Sequence, residues 1–429
     1  MRCRVASETG RRPLRACDTV VGLTPACAAT SPIWTRFMET PSSPCISICI
    51  PDDFIVSGPQ PRCQGGRGCK LTQNFCICFA CIVVPFHARR RTLGMAETQR
   101  QVVVDTDTGL DDAHSLLYLL AQPDIEILGL TSIFGNTTTE QAARNIAAVL
   151  DVADRDDIPV FRGAAAPLAG ELCIDPRWHG IDGLGDRGLS RGDAVLQAES
   201  AADFLVRIAN ERPGQVDLHP LGPLTNVALA LQRDPDLLSK FRSVVLMGGG
   251  GPYPPPGGLT LTDANSDHDR TAAEIVYTAR NARNVVMVGV NVTLQALLNE
   301  HHYERLRSQA GRWPQFAATI LDASNATYER VWGRRVSAAH DALASVILHR
   351  PEIATGWVEG PVTFTPTAGS FAVQVARTHD DRPLSFKTPD GPVVKAVTSF
   401  DYGEFVRVLM GALLRGRSDH TCCPVTMDC

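Results

Sequence analysis

From Gln101 onward, short β-branched runs alternate with longer segments whose apolar residues recur every three or four positions. The runs QVVVDTD (101–107), IEILGLTSIFG (125–135), QVDLHPLG (215–222), SVVLMGGG (243–250) and NVVMVGVN (284–291) place apolar side chains on both faces of an extended backbone. Such runs read as strands buried on both sides. Segments 111–121, 138–152, 199–211, 224–232, 270–281 and 293–309 carry helical spacing instead. Strand followed by helix, repeated, predicts an α/β fold with a mainly parallel, open twisted sheet flanked by helices on both faces. Residues 362–377 alternate as a strand does, and 399–415, opened by Asp401, read as a closing amphipathic helix.

Residues 1–94 hold neither period over any useful length, because Pro, Ser and Gly interrupt every run. Composition marks the same boundary. This stretch holds ten of the fourteen cysteines, and its eleven Arg and one Lys against five acidic residues give it a charge of +7; the whole chain is −5, so residues 95–429 carry −12. The apolar stretch FCICFACIVVPF (75–86) precedes HARRR, the reverse of the charged-then-apolar order of a secretory signal. Cys63, Cys69, Cys76, Cys78 and Cys81 do not make a paired C-x₂-C zinc pattern. We therefore expect three parts: a disordered extension or an early-assigned start over 1–94, a folded domain over 95–415 and a short tail over 416–429. Met95 opens MAETQRQVVVDTD in the manner of a cytoplasmic enzyme. No apolar run reaches the roughly 18–20 residues of a membrane-spanning helix, so no membrane partner is expected. The acidity of the domain argues against a nucleic-acid partner.

One stretch carries most of the chemistry. VVVDTDTGLDDA (102–113) places Asp105, Asp107, Asp111 and Asp112 within eight positions. Carboxylates that close raise one another's pKa and cost stability unless a cation, hydrogen bonds or water compensate them. Asp105 and Asp107 alternate at a strand end, Gly109 permits a sharp turn, and Asp111 and Asp112 then fall in the first turn of a helix, where its dipole favours acids. A calcium EF-hand loop would need Gly at its sixth position and Glu at its twelfth; counted from Asp105 these are Leu110 and Leu116. A phosphatase of the haloacid-dehalogenase type also uses an Asp-x-Asp pair at a strand end, and stays open as an alternative. A hard-cation site predicts more oxygen ligands at other strand ends, where ligands of parallel sheets bind. FGN (134–136), LGPLTN (221–226), TDANSDHD (262–269) and AAHDALA (338–344) supply them. MGGGG (247–251) is not followed by Gly-Lys-Ser/Thr, so it reads as a strand-to-loop turn and not a phosphate loop.

With these motifs in order, the chain from about residue 100 to about 415 resembles the inosine-uridine preferring nucleoside hydrolases, metal-dependent N-ribohydrolases. DTDTGLDDA is similar to the family's D-x-D-P-G-x-D-D-A signature, with Thr108 in place of the usual proline. The resemblance implies hydrolysis of a ribonucleoside to ribose and free base. It implies a Ca²⁺ ion held by Asp107, Asp112, Asp341 and the main-chain carbonyl of Thr225, with Asp107 placed to take the proton of an activated water. Asp111 is implied to hold the ribose hydroxyls. Asn136, Asp263 and Asn265 are implied to bind the sugar, and His179 and Tyr328 to face the base. His340 is implied to be the general acid for the leaving base. Asp105 fits an orienting role. Asp263 stands where the family usually has Glu, and the segment after MGG lacks the asparagine common there, which keeps a nucleoside-binding protein with impaired catalysis as a second alternative. A small-molecule ribonucleoside is the expected partner, in a homodimer or homotetramer.

Overall fold

The structure, a computed structural model, describes residues 99–190, 192–376 and 391–416. The Cys/Arg-rich stretch 1–94 and most of the tail lie outside the described residues. Fourteen strands are found among them: β1 (Arg100–Thr106), β2 (Ile125–Ser132), β3 (Val160–Arg162), β4 (Leu196–Ser200), β5 (Val216–Pro220), β6 (Ser243–Met247), β7 (Pro252–Tyr253), β8 (Val285–Val288), β9 (Leu297–Asn299), β10 (Val336–Ala338), β11 (Ala354–Gly360), β12 (Val362–Thr367), β13 (Ser370–Ala376) and β14 (Val394–Phe400). Nine of them form one sheet in the order β11-β14-β8-β6-β5-β1-β2-β3-β4. Every pairing in it is parallel except β11 with β14. The α/β expectation is met.

The first described strand, β1, lies inside this sheet; the chain then builds outward through β2, β3 and β4 and returns to lay β5 on the other flank of β1. The order therefore reverses between β1 and β5, and the loops leaving their carboxyl ends diverge to opposite sides. Such a switch point opens a crevice for ligands. β1 shows why the sheet is covered twice. Val102 and Val104 join a core with the 110–120, 312–332, 340–349 and 402–415 helices, whereas Val103 joins a second core with the 201–211, 225–233 and 270–277 helices. Burying a branched side chain contributes about 1.5–3 kcal/mol, so the central valines fix both faces.

Local signals account for the helix boundaries. The side chains of Thr138, Ser200 and Asp401 accept hydrogen bonds from the backbone N–H groups of Gln141, Asp203 and Glu404 at 3.2, 3.2 and 3.0 Å, capping the helices they precede. Elsewhere the structure departs from the spacing. The 293–309 segment breaks into a short helix at Val290–Thr293, strand β9 and a helix at Glu300–Arg307 started by Asn299, because β9 pairs with β10. Of the 362–377 segment, the described residues form two strands, turned at Gly369 with φ of 81°. Strands β3 and β4 and the helices Arg312–Trp332 and His340–His349 fall outside the segments that periodicity marked. No described helix is long and apolar enough to cross a membrane.

At the amino ends of β1 and β5, far along the strands from the acid cluster, Asp217 is fully buried and accepts from Arg100 Nε at 2.5 Å, Arg242 Nε at 3.0 Å and Ser243 Oγ at 2.7 Å. Burial alone would raise its pKa; the hydrogen bonds from Arg242 and Arg100 outweigh that and hold it low. A depressed carboxyl contributes stability that is present above its unfolded pKa and lost as pH falls through the folded value. We expect Asp217→Ala to cost about 1.5–3 kcal/mol in denaturant unfolding, since it removes the shared acceptor of Arg100, Arg242 and Ser243 while both arginines still reach water.

Candidate active site

The clustered acids gather where β1 ends. Asp105, Asp107 and Asp112 are fully buried and Asp341 is nearly so, while Asp111 is half-buried. Asp111 and Asp112 stand in the first turn of the 110–120 helix and Asp341 in the first turn of the 340–349 helix, so two helix N-termini converge here. Asp111, Asp112 and Asp341 each offer a carboxylate oxygen within 4.8 Å of the others. Asp112 accepts from Thr106 Oγ1 at 2.6 Å, the Gly109 N–H at 2.8 Å and Asn136 Nδ2 at 3.0 Å. The Asn136 N–H donates to Asp107 Oδ2 at 2.7 Å, but Asp107 Oδ1 is buried without a partner.

Two loops close on Asp107. A Cβ at Gly135 would lie 2.0 Å from its Oδ2, and a Cβ at Gly222 would lie 2.9 Å from its Oδ1. Gly135 has φ of 153°, so side-chain size and backbone both require glycine there. Thr225 follows Gly222 on the second loop; it is buried, opens the 225–233 helix, and its hydroxyl donates to Asp269 at 2.7 Å. Asp105 Oδ1 accepts from Asn226 Nδ2 at 2.7 Å and from Thr131 Oγ1, which ties the ends of β1 and β2 to that helix. Burial raises the Asp105 carboxyl to about 6.

The three innermost acids repel one another. Burial first, then the charge of Asp112, pushes the Asp107 pKa well up. Burial and the charges of Asp111, Asp112 and Asp107 do the same to Asp341. Asp112 is raised by burial and by Asp111. An all-oxygen donor set with one orphaned buried carboxylate oxygen fits a hard divalent cation and does not fit zinc or copper, which favour nitrogen or sulfur.

A cavity opens beside this cluster. Its lining includes Asp111, Asp341 and Asn136, Asp263 and Asn265, and His179, Tyr328 and His340, whereas Asp107, Asp112 and Thr225 do not line it. Asp263 caps the 264–268 helix, accepting from the Ser266 N–H at 2.8 Å, and its Oδ2 has no partner. Asn265 Nδ2 donates to the Leu221 and Met247 carbonyls at 2.6 and 3.0 Å. His179 Nδ1 accepts from the Leu110 N–H at 3.1 Å. His340 is bonded at both nitrogens, Nδ1 to Thr293 Oγ1 at 2.6 Å and Nε2 to the Tyr328 hydroxyl at 3.1 Å. Burial lowers the pKa of both histidines and raises that of the Tyr328 hydroxyl.

Sequence reasoning did not single out Trp332, which meets Tyr328 edge-on at 4.7 Å between ring centroids and lines the cavity. The signal was present: Ser324, Tyr328 and Trp332 are spaced four apart on one helix. Asp267 was also passed over; burial raises it to about 6, and it accepts from Ser370 Oγ at 2.6 Å across the cavity wall.

Comparison with known proteins agrees with this geometry. The family model described as inosine-uridine preferring nucleoside hydrolase matches residues 102–407. Probable uridine nucleosidase 1 of Oryza sativa subsp. japonica is 36% identical over 276 residues, 64% of this chain and 81% of that protein. Probable uridine nucleosidase 2 of Arabidopsis thaliana is 30% identical over 329 residues, 74% of this chain and 98% of that protein. Among solved structures, a plant nucleoside hydrolase superposes with a TM-score of 0.66 at 27% identity, covering 73% of this chain and 99% of its own. A purine-preferring ribonucleoside hydrolase from Gardnerella vaginalis gives 0.63 at 25% identity, with 73% and 98% covered. Sequence, fold and the ordered acid motifs thus converge, and the chain belongs to the inosine-uridine preferring nucleoside hydrolase family.

Proposed function

We propose that the protein hydrolyses the N-glycosidic bond of ribonucleosides, uridine among them, to ribose and free base. The observation that carries this reading is the cavity itself, whose lining combines the carboxyls of Asp111, Asp263 and Asp341 with the rings of His179, Tyr328, Trp332 and His340. Sugar hydroxyls fit the first and a planar base the second. Asp107, Asp112, Asp341 and the Thr225 carbonyl would hold Ca²⁺. Bound there, such an ion supplies Lewis acidity toward the attacking water and offsets the repulsion among its ligands.

Asp107 takes the water's proton. The Asn136 N–H holds Oδ2 and fixes the carboxylate plane. Asp111, Asn136, Asp263 and Asn265 bind the ribose, and nearby carboxylates stabilise the positive charge that builds on the sugar as the bond breaks. His340 protonates the departing base. As an imidazolium it donates Nδ1–H to Thr293 Oγ1 and Nε2–H to the Tyr328 oxygen, whose own hydroxyl proton passes to the base, and the ring is left neutral. His179 and Trp178 enclose the base from the opposite loop.

The reading as a binder without turnover has one observation in its favour: Asp263 is short, and one of its oxygens is committed to the helix cap. Multiple-turnover release of base separates the two. The phosphatase alternative has none, since no Lys or Arg lines the cavity among the described residues.

Assays of ribose release from uridine, inosine and cytidine should show turnover by the wild-type protein. Asp107→Asn should reduce kcat by about a thousandfold with little change in KM, a drop in the range expected for a lost general base; full activity in that variant would sink the mechanism. His340→Ala should slow nucleosides with poor leaving groups far more than an activated nitrophenyl riboside, and equal losses would remove its role as acid. In chelator-treated protein, Asp341→Asn should raise stability by about 1 kcal/mol or more, because it takes one charge out of a buried repulsive cluster. A lower melting temperature would show that the acids do not oppose one another.

A further inference from the structure

One helical turn past the acids, three fully buried polar side chains form a chain that the proposed reaction does not use. Ser115 lies three and four positions after Asp112 and Asp111, Ser345 lies four after Asp341, and His219 sits on β5, three residues before the Gly222 that packs on Asp107. Ser115 Oγ is 2.5 Å from Ser345 Oγ, Ser345 Oγ is 2.8 Å from His219 Nε2, and His219 Nδ1 is 2.5 Å from the Val245 carbonyl. The proton positions follow from the partners. A carbonyl only accepts, so Nδ1 carries the hydrogen and Nε2 is the acceptor in a neutral ring. Ser345 must then donate to Nε2, which leaves its oxygen to accept from Ser115. Burial keeps the ring neutral by lowering its pKa to about 4.

The chain therefore runs in one direction, Ser115 to Ser345 to His219 to Val245, with every link satisfied. It joins the two helices that carry Asp112 and Asp341 to β5, whose following loop packs Gly222 on Asp107. Apolar packing between the two helices is present, since Leu116, Leu117, Leu343 and Ile347 share one core. Such packing tolerates small slides and rotations of one helix on another, whereas directional bonds do not.

We propose that Ser115, Ser345 and His219 form a positioning clamp that holds the two acid-bearing helix ends together against their mutual repulsion, and so sets the site's affinity for its divalent cation. This rests on the cation reading above. With the clamp intact, folding bears the cost of gathering the acids, and the cation meets a preorganised site. Without it, the acids separate when no cation is bound, and binding must gather them again.

The test is calorimetric titration of the chelator-treated full chain with CaCl₂, for wild type, Ser115→Ala, Ser345→Ala and Ser345→Thr, with the melting temperature of each cation-free protein. The clamp predicts a calcium Kd raised about tenfold in Ser345→Ala, the size of one buried hydrogen bond left unmade, and a smaller rise in Ser115→Ala. Ser345→Thr, which keeps the hydroxyl, should restore wild-type affinity. At saturating calcium kcat should stay within about twofold in all three. Unchanged Kd in both alanine variants, with only the melting temperature lowered, would reduce the chain to packing and overturn the clamp. Absence of any calcium binding by the wild type would overturn the cation reading and the clamp together, so the two failures are told apart. If Ser345→Ala does not fold, Ser115→Ala, which removes only the terminal donor, decides.

Discussion

The mutual repulsion of buried carboxyls at the end of β1 is the constraint around which the remaining structure is arranged. Asp107, Asp112 and Asp341 are withdrawn from water, and each is pushed toward its neutral form by burial and by neighbouring carboxyls, Asp111 among them. A fold gains nothing in stability from such a cluster. It persists because surrounding elements hold it: glycines at 135 and 222 that leave room for Asp107, donors from Thr106, Gly109 and Asn136, and two helix N-termini whose dipoles favour negative charge.

Parallel topology makes the gathering possible. The reversal of strand order between β1 and β5 brings together loops from residues 107–112, 134–136, 221–226 and 262–268, and the 340–349 helix closes the site from the far end of the chain. Long-range pairing of this kind puts acids and sugar-binding groups on one side of a cavity. Tyr328 and Trp332 of the 312–332 helix line the same cavity.

How much of this was legible in the sequence follows the range of the interactions. The β-branched runs announced the central strands because both of their faces are buried, and the crowding of Asp105, Asp107, Asp111 and Asp112 announced a site because no short-range device compensates four acids. Strand β3 is three residues long and β4 lies exposed at the sheet edge, so neither leaves a pattern. The 312–332 helix was missed although Trp313, Phe316, Ile320 and Leu321 repeat at helical spacing; its second half turns Ser324, Tyr328 and Trp332 to the cavity, and polar residues there dilute the stripe. The Ser115–Ser345–His219 chain joins residues 230 and 126 positions apart, and each of its members alone reads as ordinary core polarity.

The central claim is that a hard cation compensates the acids. The most direct measurement is the metal content of the full chain, purified without chelator and dialysed against metal-free buffer, by inductively coupled plasma mass spectrometry. The account predicts about one calcium per chain, as an all-oxygen site of this donor set requires. A protein that carries no divalent ion, or one that carries zinc or copper in calcium's place, would contradict it.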